Sequence, residues 1–351
     1  MRAPIALAAI AGALVAGCTA QSSPNPRGLI AVGAWTHHRE ELLLMTPSGK
    51  IRSVAGGEIS GVGWSADGLH IAFGRFSDDK TADLLVSGTR GSQDGLLQLT
   101  PTHSGVNDRL PAWSPDGRTI AFTRRSKHTS RIYAVTSAGR DIRALSTPRV
   151  RKLDYFPKWS PDGRHIAFLR GWKKRNDLVV MDVDGSNAHR LTHDGHATRG
   201  FSWSPNSRRI VFARDAGSSH GDLYIASQSG GTPTRITHDG HAKYTPAWQP
   251  HGDLISFTQR LNGQLDIFAI GANGGGRRRM TTNTHRDIGP TWSPDGRFIA
   301  YLELPRLWPK RIRDQKSGSV RWVRVADADP RPHVIARGKF NVFPISWQPE
   351  K

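Results

Sequence analysis

One ten-residue pattern recurs along the chain and constrains its fold more than any other feature. It is clearest at residues 113–122, which read Trp-Ser-Pro-Asp-Gly-Arg-Thr-Ile-Ala-Phe. A repeat of about 45 residues, built from short strands and turn residues without helical periodicity, is typical of radially arranged four-stranded sheets. Further copies begin at Trp64, Trp159, Trp203, Trp248 and Trp292, with a partial copy at Trp347, so that successive tryptophans lie 49, 46, 44, 45, 44 and 55 residues apart.

The chemistry of the pattern predicts a β-hairpin. In Ser-Pro-Asp-Gly, serine favours the first position of a type I turn, proline pre-sets φ at the second, and glycine tolerates the fourth. Alternating strand-like residues flank the turn, and an aliphatic third strand follows, as at residues 177–181. A fourth strand ends in a Leu-Thr type signature, as at residues 98–100, 190–192, 235–237 and 279–281.

The two ends of the chain complement each other. Residues 28–32 enter the second strand of a repeat without a first strand, whereas residues 343–347 supply a first strand that no second strand follows. Joining them would complete one blade and remove the exposed edges of an open sheet. The sequence therefore predicts an all-β, seven-bladed β-propeller of four-stranded blades, closed by a C-terminal strand that completes the first blade. The second strands are counted at Ile30, Ile71, Ile120, Ile166, Ile210, Ile255 and Ile299.

The repeat resembles the WD-like repeats of the TolB β-propeller superfamily, and the resemblance covers essentially all of residues 28–349. It implies the fold but little about function, because similar propellers serve as partner-binding platforms, as substrate gates of prolyl oligopeptidases and occasionally as lyases. Two departures matter. The founding member of the family has six blades and a separate N-terminal α/β domain, whereas we count seven blades here and find no room for that domain.

The N-terminal residues predict export and lipid anchoring. Residues 1–17 combine Arg2 with an apolar run, as in a signal peptide. They lead to Leu-Val-Ala-Gly-Cys, which resembles the lipobox of bacterial lipoproteins, and Cys18 is the only cysteine. We therefore expect lipidation at Cys18, a lipid-anchored linker over residues 18–27, the propeller over residues 28–351, and a location on the cell membrane, at its outer face or periplasmic side.

The chain is strongly basic, with a formal net charge of +20, which favours anionic partners. Strand alternation places the Ser-Pro-Asp-Gly turns at one end of the propeller and the variable loops at the other end, which we call the crossing face. Basic residues and two tryptophans concentrate in those loops, so they are the candidate binding residues. They are Arg124, Arg125, Lys127, Arg170, Trp172, Lys173, Lys174, Arg175, Trp308, Lys310, Arg311 and Arg313. The alternative is a solvated basic rim.

Histidines also cluster where one repeat crosses to the next. Thr-His-Asp-Gly-His-Ala occurs twice, and it supplies the candidate metal ligands His193, His196, His238 and His241. Resemblance offers a precedent, since oligogalacturonate lyase has a similar propeller and uses histidines with a metal. The same pattern arises when a repeat is duplicated during evolution, because each copy inherits its residues. We therefore expect no metal and no other cofactor.

The features above favour a non-catalytic protein-binding scaffold in the cell envelope. We expect a monomer that binds an envelope protein or an anionic surface polymer, attaches to the membrane through its lipid anchor, and has no nucleic-acid partner. No catalytic residue is assigned. The alternative is a metal-dependent lyase or hydrolase that acts on an anionic polysaccharide.

Overall fold

The computed structural model describes residues 26–36, 39–77, 81–89, 95–127, 129–147, 153–172, 175–217, 220–305, 318–340 and 345–349. Every regular element in these ranges is a β-strand. Accordingly, no helix in the described ranges is long and apolar enough to cross a membrane. The predicted signal peptide, Cys18 and nearly all of the predicted linker lie outside the described residues.

The strands form antiparallel groups of four, which we number as units 1 to 7 in the order of their second strands. The innermost strands of units 2 to 7 and then of unit 1 are β4 (Ile59–Trp64), β8 (Asn107–Trp113), β12 (Leu153–Trp159), β16 (Thr198–Trp203), β20 (Lys243–Trp248), β24 (Arg286–Trp292) and β28 (Ser346–Trp347). The second strands of units 1 to 7 are β1 (Ile30–Thr36), β5 (His70–Phe76), β9 (Thr119–Arg125), β13 (His165–Trp172), β17 (Arg209–Gly217), β21 (Leu254–Leu261) and β25 (Phe298–Leu304).

The outer half of each unit follows the same order. The third strands are β2 (Arg39–Met45), β6 (Ala82–Gly88), β10 (Ser130–Thr136), β14 (Arg175–Asp182), β18 (His220–Ser227), β22 (Gln264–Gly271) and β26 (Gly318–Arg324). The outermost strands are β3 (Ile51–Gly56), β7 (Leu97–Gln98), β11 (Arg143–Ala144), β15 (His189–Arg190), β19 (Thr234–Arg235), β23 (Arg278–Arg279) and β27 (His333–Phe340).

Units 4, 5 and 6 are separate four-stranded sheets. Units 2 and 3 share a sheet through one parallel pairing, Ala82 with Asn107. Units 7 and 1 share another, because β27 pairs with β1 at Phe340 and Ala34.

The Ser-Pro-Asp-Gly turn forms as predicted, and unit 4 shows why its residues are needed. The amide of Gly163 donates to the carbonyl oxygen of Ser160 (2.9 Å), which closes the turn. The Ser160 hydroxyl donates to Asp162 Oδ1 (2.6 Å), and the same oxygen accepts from the amide of Arg164 (3.1 Å). Gly163 has φ of 72°, a left-handed conformation that glycine adopts without a steric penalty.

The Leu-Thr signature completes the outermost strands of units 2 to 6, which are only two residues long. In unit 4 the Leu191 side chain is buried, and Thr192 Oγ1 accepts a hydrogen bond from the amide of Leu178 in the third strand (2.9 Å). The threonine side chain therefore continues the ladder where backbone pairing ends. Equivalent bonds join Leu84 to Thr100, Ile132 to Ser146, Leu223 to Thr237 and Ile267 to Thr281.

The core lies between the faces of neighbouring units. One apolar cluster, for example, combines Leu178 and Leu191 of unit 4 with Phe201 and Ile210 of unit 5. The isoleucine of each second strand is fully buried, as expected for a strand covered on both faces.

The repeat tryptophans also join neighbouring units by hydrogen bonds. The indole Nε1 of Trp159 donates to the carbonyl oxygen of Ala112, the residue before the tryptophan of the preceding unit (2.9 Å). The same contact joins Trp64 to Ser346 (3.2 Å), Trp203 to Lys158 (3.1 Å) and Trp292 to Ala247 (2.9 Å). Trp248 instead bonds within its own altered turn, to Gly252 (3.1 Å). Trp113 Nε1 is buried without a hydrogen-bond partner among the described residues.

Candidate binding site at the axial cavity

The innermost strands line a cavity of about 1020 Å³. Every unit in the described ranges contributes residues to its wall, among them Gly61, Phe156, Phe201, Ile288 and Ser346. The cavity therefore lies on the axis around which the units are arranged. Its size and mixed apolar and polar wall suit ligand binding.

A backbone irregularity shapes this wall in six units. The residue three positions before the tryptophan has positive φ, and the pairing of the innermost strand shifts there. Such a bulge re-aims the following side chains. Glycine occupies the position in units 2, 5 and 7, whereas Leu110 (56°), Phe156 (63°) and Thr245 (46°) are residues for which this conformation is costly.

Hydrogen bonds from the preceding unit hold two of these bulges. The amide of Phe156 donates to Thr123 Oγ1 (3.1 Å), and the amide of Gly289 donates to Thr258 Oγ1 (3.2 Å). Neighbouring units therefore help to fix the backbone of the cavity wall.

Three arginines and two tyrosines give the wall its polar character. Arg199 forms an ion pair with Asp215, and its guanidinium lies 5.3 Å from the centre of the Tyr244 ring. Arg260 Nε is buried and has no hydrogen-bond partner in the described structure. Burial, and then the charge of Arg260, lowers the pKa of Arg286. Two neighbouring guanidiniums thus face one cavity, a setting that favours an anionic ligand.

Lys158 lies at the other end of the wall, next to the turn that follows Trp159. Its ammonium donates to the carbonyl oxygen of Phe201 (2.8 Å) and lies 5.3 Å and 5.2 Å from the ring centres of Phe156 and Phe201. Burial lowers the pKa of Lys158 to about 8. Lys158 therefore adds a weakly held positive charge to the wall while it connects units 4 and 5.

The candidate binding residues of the crossing face fall into three groups. Arg124 and Arg170 each form a two-point ion pair within their own unit. Arg124 binds Asp108 (2.8 and 2.7 Å), and Arg170 binds Asp154 (2.7 and 2.8 Å). Their charges are thus neutralised locally. Arg125, Lys127 and Arg175 are exposed. The side chain of Trp172 and the residues Lys173, Lys174, Trp308, Lys310, Arg311 and Arg313 lie outside the described structure.

The histidine loops lie away from the axis. His193, His196 and His238 are exposed, His241 is half-buried, and none of them lines the axial cavity. The aspartates in these loops form ion pairs, Asp194 with Arg214 and Asp239 with Lys243 and Arg277. Burial opposes ionisation of Asp239, but the Lys243 ammonium holds its pKa at about 2. Across the described ranges, no group of three or more His, Cys, Asp or Glu side chains is arranged to hold a metal ion.

An all-β chain of four-stranded antiparallel units, whose innermost strands line one axial cavity, is a β-propeller. Comparison with known families identifies which kind. The profile of the family described as the TolB beta propeller domain matches residues 23–221, more than half of the chain. The chain belongs to this family, as the resemblance of its repeats implied.

Solved structures agree on the fold. TolB from Acinetobacter baumannii is 18% identical, with a TM-score of 0.55, and the match covers 71% of this chain and 62% of that protein. A putative TolB from Agrobacterium tumefaciens is 17% identical, with a TM-score of 0.52 and 89% of each chain covered. Oligogalacturonate lyase in complex with manganese is 14% identical, with a TM-score of 0.53, and the match covers 81% of this chain and 75% of the lyase. Among curated proteins, no sequence matches this chain significantly.

Proposed function

We propose that this protein is an exported, lipid-anchored propeller that acts as a non-catalytic protein-binding scaffold in the cell envelope. The observation that carries the proposal is the axial cavity, in which Arg260 Nε has no hydrogen-bond partner among the described residues beside the apolar and aromatic wall. Arginine and tyrosine in a concave, partly desolvated setting are the residue types that contribute most binding energy in protein interfaces.

The charges of the wall define the partner's chemistry. Arg260 and Arg286 lie close enough for the charge of Arg260 to lower the pKa of Arg286. A carboxylate supplied by a partner would relieve this repulsion and form charge-assisted hydrogen bonds. We therefore propose a partner that inserts an acidic segment into the crossing-face end of the cavity, with the exposed Arg125, Lys127 and Arg175 adding long-range attraction.

Site-specific crosslinking in envelope preparations tests this function. A photoreactive amino acid in place of Tyr244, on the cavity wall, should capture a protein partner. The same group in place of Arg118, exposed in the turn at the opposite end, should capture none. Equal capture from both positions would contradict the assigned surface. Retention of an acidic polysaccharide that the protein shortens would support the lyase or hydrolase alternative instead.

We also propose that the seven units close into a ring. Its support comes from the C-terminal strand, in which Trp347 and Ser346 pair with Ile30 and Ala31 of β1. Gln348 then bridges units 1 and 2, since it accepts from the amide of Leu29 (2.8 Å) and donates to the carbonyl oxygen of Gly68 (2.7 Å). A closed ring would give the partner a rigid and pre-organised cavity.

The anchor is proposed from the sequence of residues 1–27. Because Cys18 is the only thiol and ends a lipobox-like stretch, Cys18→Ala should release the protein from membranes. The measurement is fractionation of cells after a high-salt wash, which removes proteins held by charge alone. Retention of the alanine variant in the membrane fraction would refute lipid anchoring.

A further inference from the structure

A second, smaller cavity of about 350 Å³ lies beside the axial cavity, between units 2, 3 and 4. Among the described residues, the two cavities share Leu110 and Tyr155 in their walls. Phe76, Leu110 and Leu153 make one side of the smaller cavity apolar. Its volume is at the lower end of the range for small-molecule sites, about 300 to 1,000 Å³, so it suits a ligand about the size of one substituted ring.

Two arginines on neighbouring strands face this cavity. Arg109 lies on β8 and Arg125 on β9, where Arg125 pairs in register with Asn107. Neither arginine makes an ion pair within the described ranges. Arg124, the residue before Arg125 on β9, differs because it forms an ion pair with Asp108. Burial, and then the charge of Arg125, lowers the pKa of Arg109. The Arg109 guanidinium lies 5.5 Å from the centre of the Phe76 ring, which keeps it at the wall.

Two hydroxyl groups complete a set of hydrogen-bond donors. Ser60 contributes to the cavity wall and is 3% exposed, and its buried hydroxyl has no hydrogen-bond partner among the described residues. An orphaned buried hydroxyl is costly unless a ligand or water pairs with it. Tyr155 Oη accepts from Asn176 Nδ2 (2.9 Å), which leaves its proton available to donate. Among the described residues of the wall the one carboxylate is that of Glu58, which is exposed at the rim.

We propose that this cavity binds a small ligand that carries one oxyanion, a carboxylate or a phosphate monoester, on an apolar or aromatic body. Arg109 and Arg125 hold the oxyanion, Ser60 donates to one of its oxygens, and the body lies against Phe76, Leu110 and Leu153. The site shares Arg125 with the proposed partner surface, but binding of a small ligand here does not depend on that partner.

Calorimetric titration of the purified protein with benzoate and phenyl phosphate tests the site. The probe that binds with the higher affinity shows whether the site prefers a carboxylate or a phosphate monoester. Both probes should saturate one site, and benzyl alcohol, which has the same body without the charge, should not bind. Inorganic phosphate should bind at least about tenfold more weakly than phenyl phosphate, because it lacks the body.

Variants locate the binding. Arg109→Gln should weaken binding of either probe by about tenfold or more, since it removes charge-assisted hydrogen bonds. Arg118→Gln, an exposed arginine at the opposite end, should change nothing, and Glu58→Gln should tighten binding by removing a repelling charge. Ser60→Ala, which removes only a hydroxyl, should weaken binding and provides a second test should Arg109→Gln fail to fold.

Three results would overturn the proposal. They are equal binding by wild type, Arg109→Gln and Ser60→Ala, equal binding of benzoate and benzyl alcohol, and equal binding of phenyl phosphate and inorganic phosphate. Arg260→Gln should leave probe binding unchanged, so failure of this site and failure of the partner surface give different patterns.

Discussion

Asp287 shows how one changed residue alters the chemistry of a repeated position. In units 3 and 4 an aspartate of the innermost strand pairs with an arginine of the second strand, as Asp108 does with Arg124. In unit 7 the arginine is replaced by glutamate, so Asp287 pairs in register with Glu303. Asn283 donates to both carboxylates (2.9 and 3.2 Å). Burial, with the charge of Glu303, raises the pKa of Asp287 to about 7.

This shift predicts how stability depends on pH. An aspartate in the unfolded chain ionises near pH 4, so between about pH 4 and 7 the folded protein holds a proton that the unfolded chain has lost. Stability contributed by the neutral Asp287 is therefore lost as pH rises through this window, and the loss is complete above about pH 7. Asp287→Asn should remove this dependence on pH. At pH 8 its free energy of unfolding should exceed that of wild type by an amount on the order of a few kcal/mol.

Denaturant unfolding at several pH values checks the prediction, with Asp253→Asn as the control because the Asp253 side chain is 83% exposed. The gap between Asp287→Asn and wild type should widen from pH 4.5 to pH 7 and then stay constant. A gap that is the same at every pH would show that Asp287 ionises normally.

The residues of the site were only partly predictable. The number of basic residues in the loops made their arginines the candidates for binding. That number does not reveal which arginines form ion pairs with carboxylates of the same chain. Arg124 and Arg125 are adjacent in sequence, yet one is paired with Asp108 and the other faces a cavity. Arg109 and Arg199 both lie four residues before a repeat tryptophan. Arg199 lines the axial cavity and Arg109 lines the smaller one, and this spacing is the signal that would have found them.

At the scale of elements, hydrogen bonds from four repeat tryptophans to the preceding unit give the indole a role that another large apolar group could not fill. Trp159 and Trp113 occupy equivalent positions and are both half-buried, but only Trp159 has an indole partner in the described structure. Trp159→Phe should therefore cost about 1 kcal/mol more in free energy of unfolding than Trp113→Phe. Chemical denaturation of both variants measures this difference, and equal costs would mean that the bond between units contributes nothing.

The elements themselves were largely predictable. Ser-Pro-Asp-Gly predicted the turn, and the Leu-Thr type signature predicted the ends of units 2, 4, 5 and 6, because both act through hydrogen bonds within a few residues or one neighbouring strand. The bulges were not predicted. Two of them are held by hydrogen bonds from the preceding unit, such as the one from Phe156 to Thr123, and residues such as Leu110 do not mark a positive φ.

At the scale of the whole molecule, ring closure predicts that the last residues stabilise the entire fold. Removal of residues 341–351 would expose the inner edge of unit 1 and delete the buried Ile345 and Trp347. Each such side chain contributes roughly 1.5 to 3 kcal/mol on burial, against a typical total stability of about 5 to 15 kcal/mol. The truncated protein should melt far below the full chain, whereas removal of residues 350–351 alone should have little effect. Equal melting of the long truncation and the full chain would contradict closure.

The central claim, that the arginines of the axial cavity bind an acidic partner, is tested most directly by crosslinking yield from position 244 across a salt series. In wild type the yield should fall as salt rises from 0.1 M to 1 M, because the screening length shrinks from about 10 Å to about 3 Å. Arg260→Gln should lower the yield at low salt by about tenfold and flatten its salt dependence, whereas Arg118→Gln should match wild type. Capture by Arg260→Gln equal to that of wild type at every salt concentration would contradict the account.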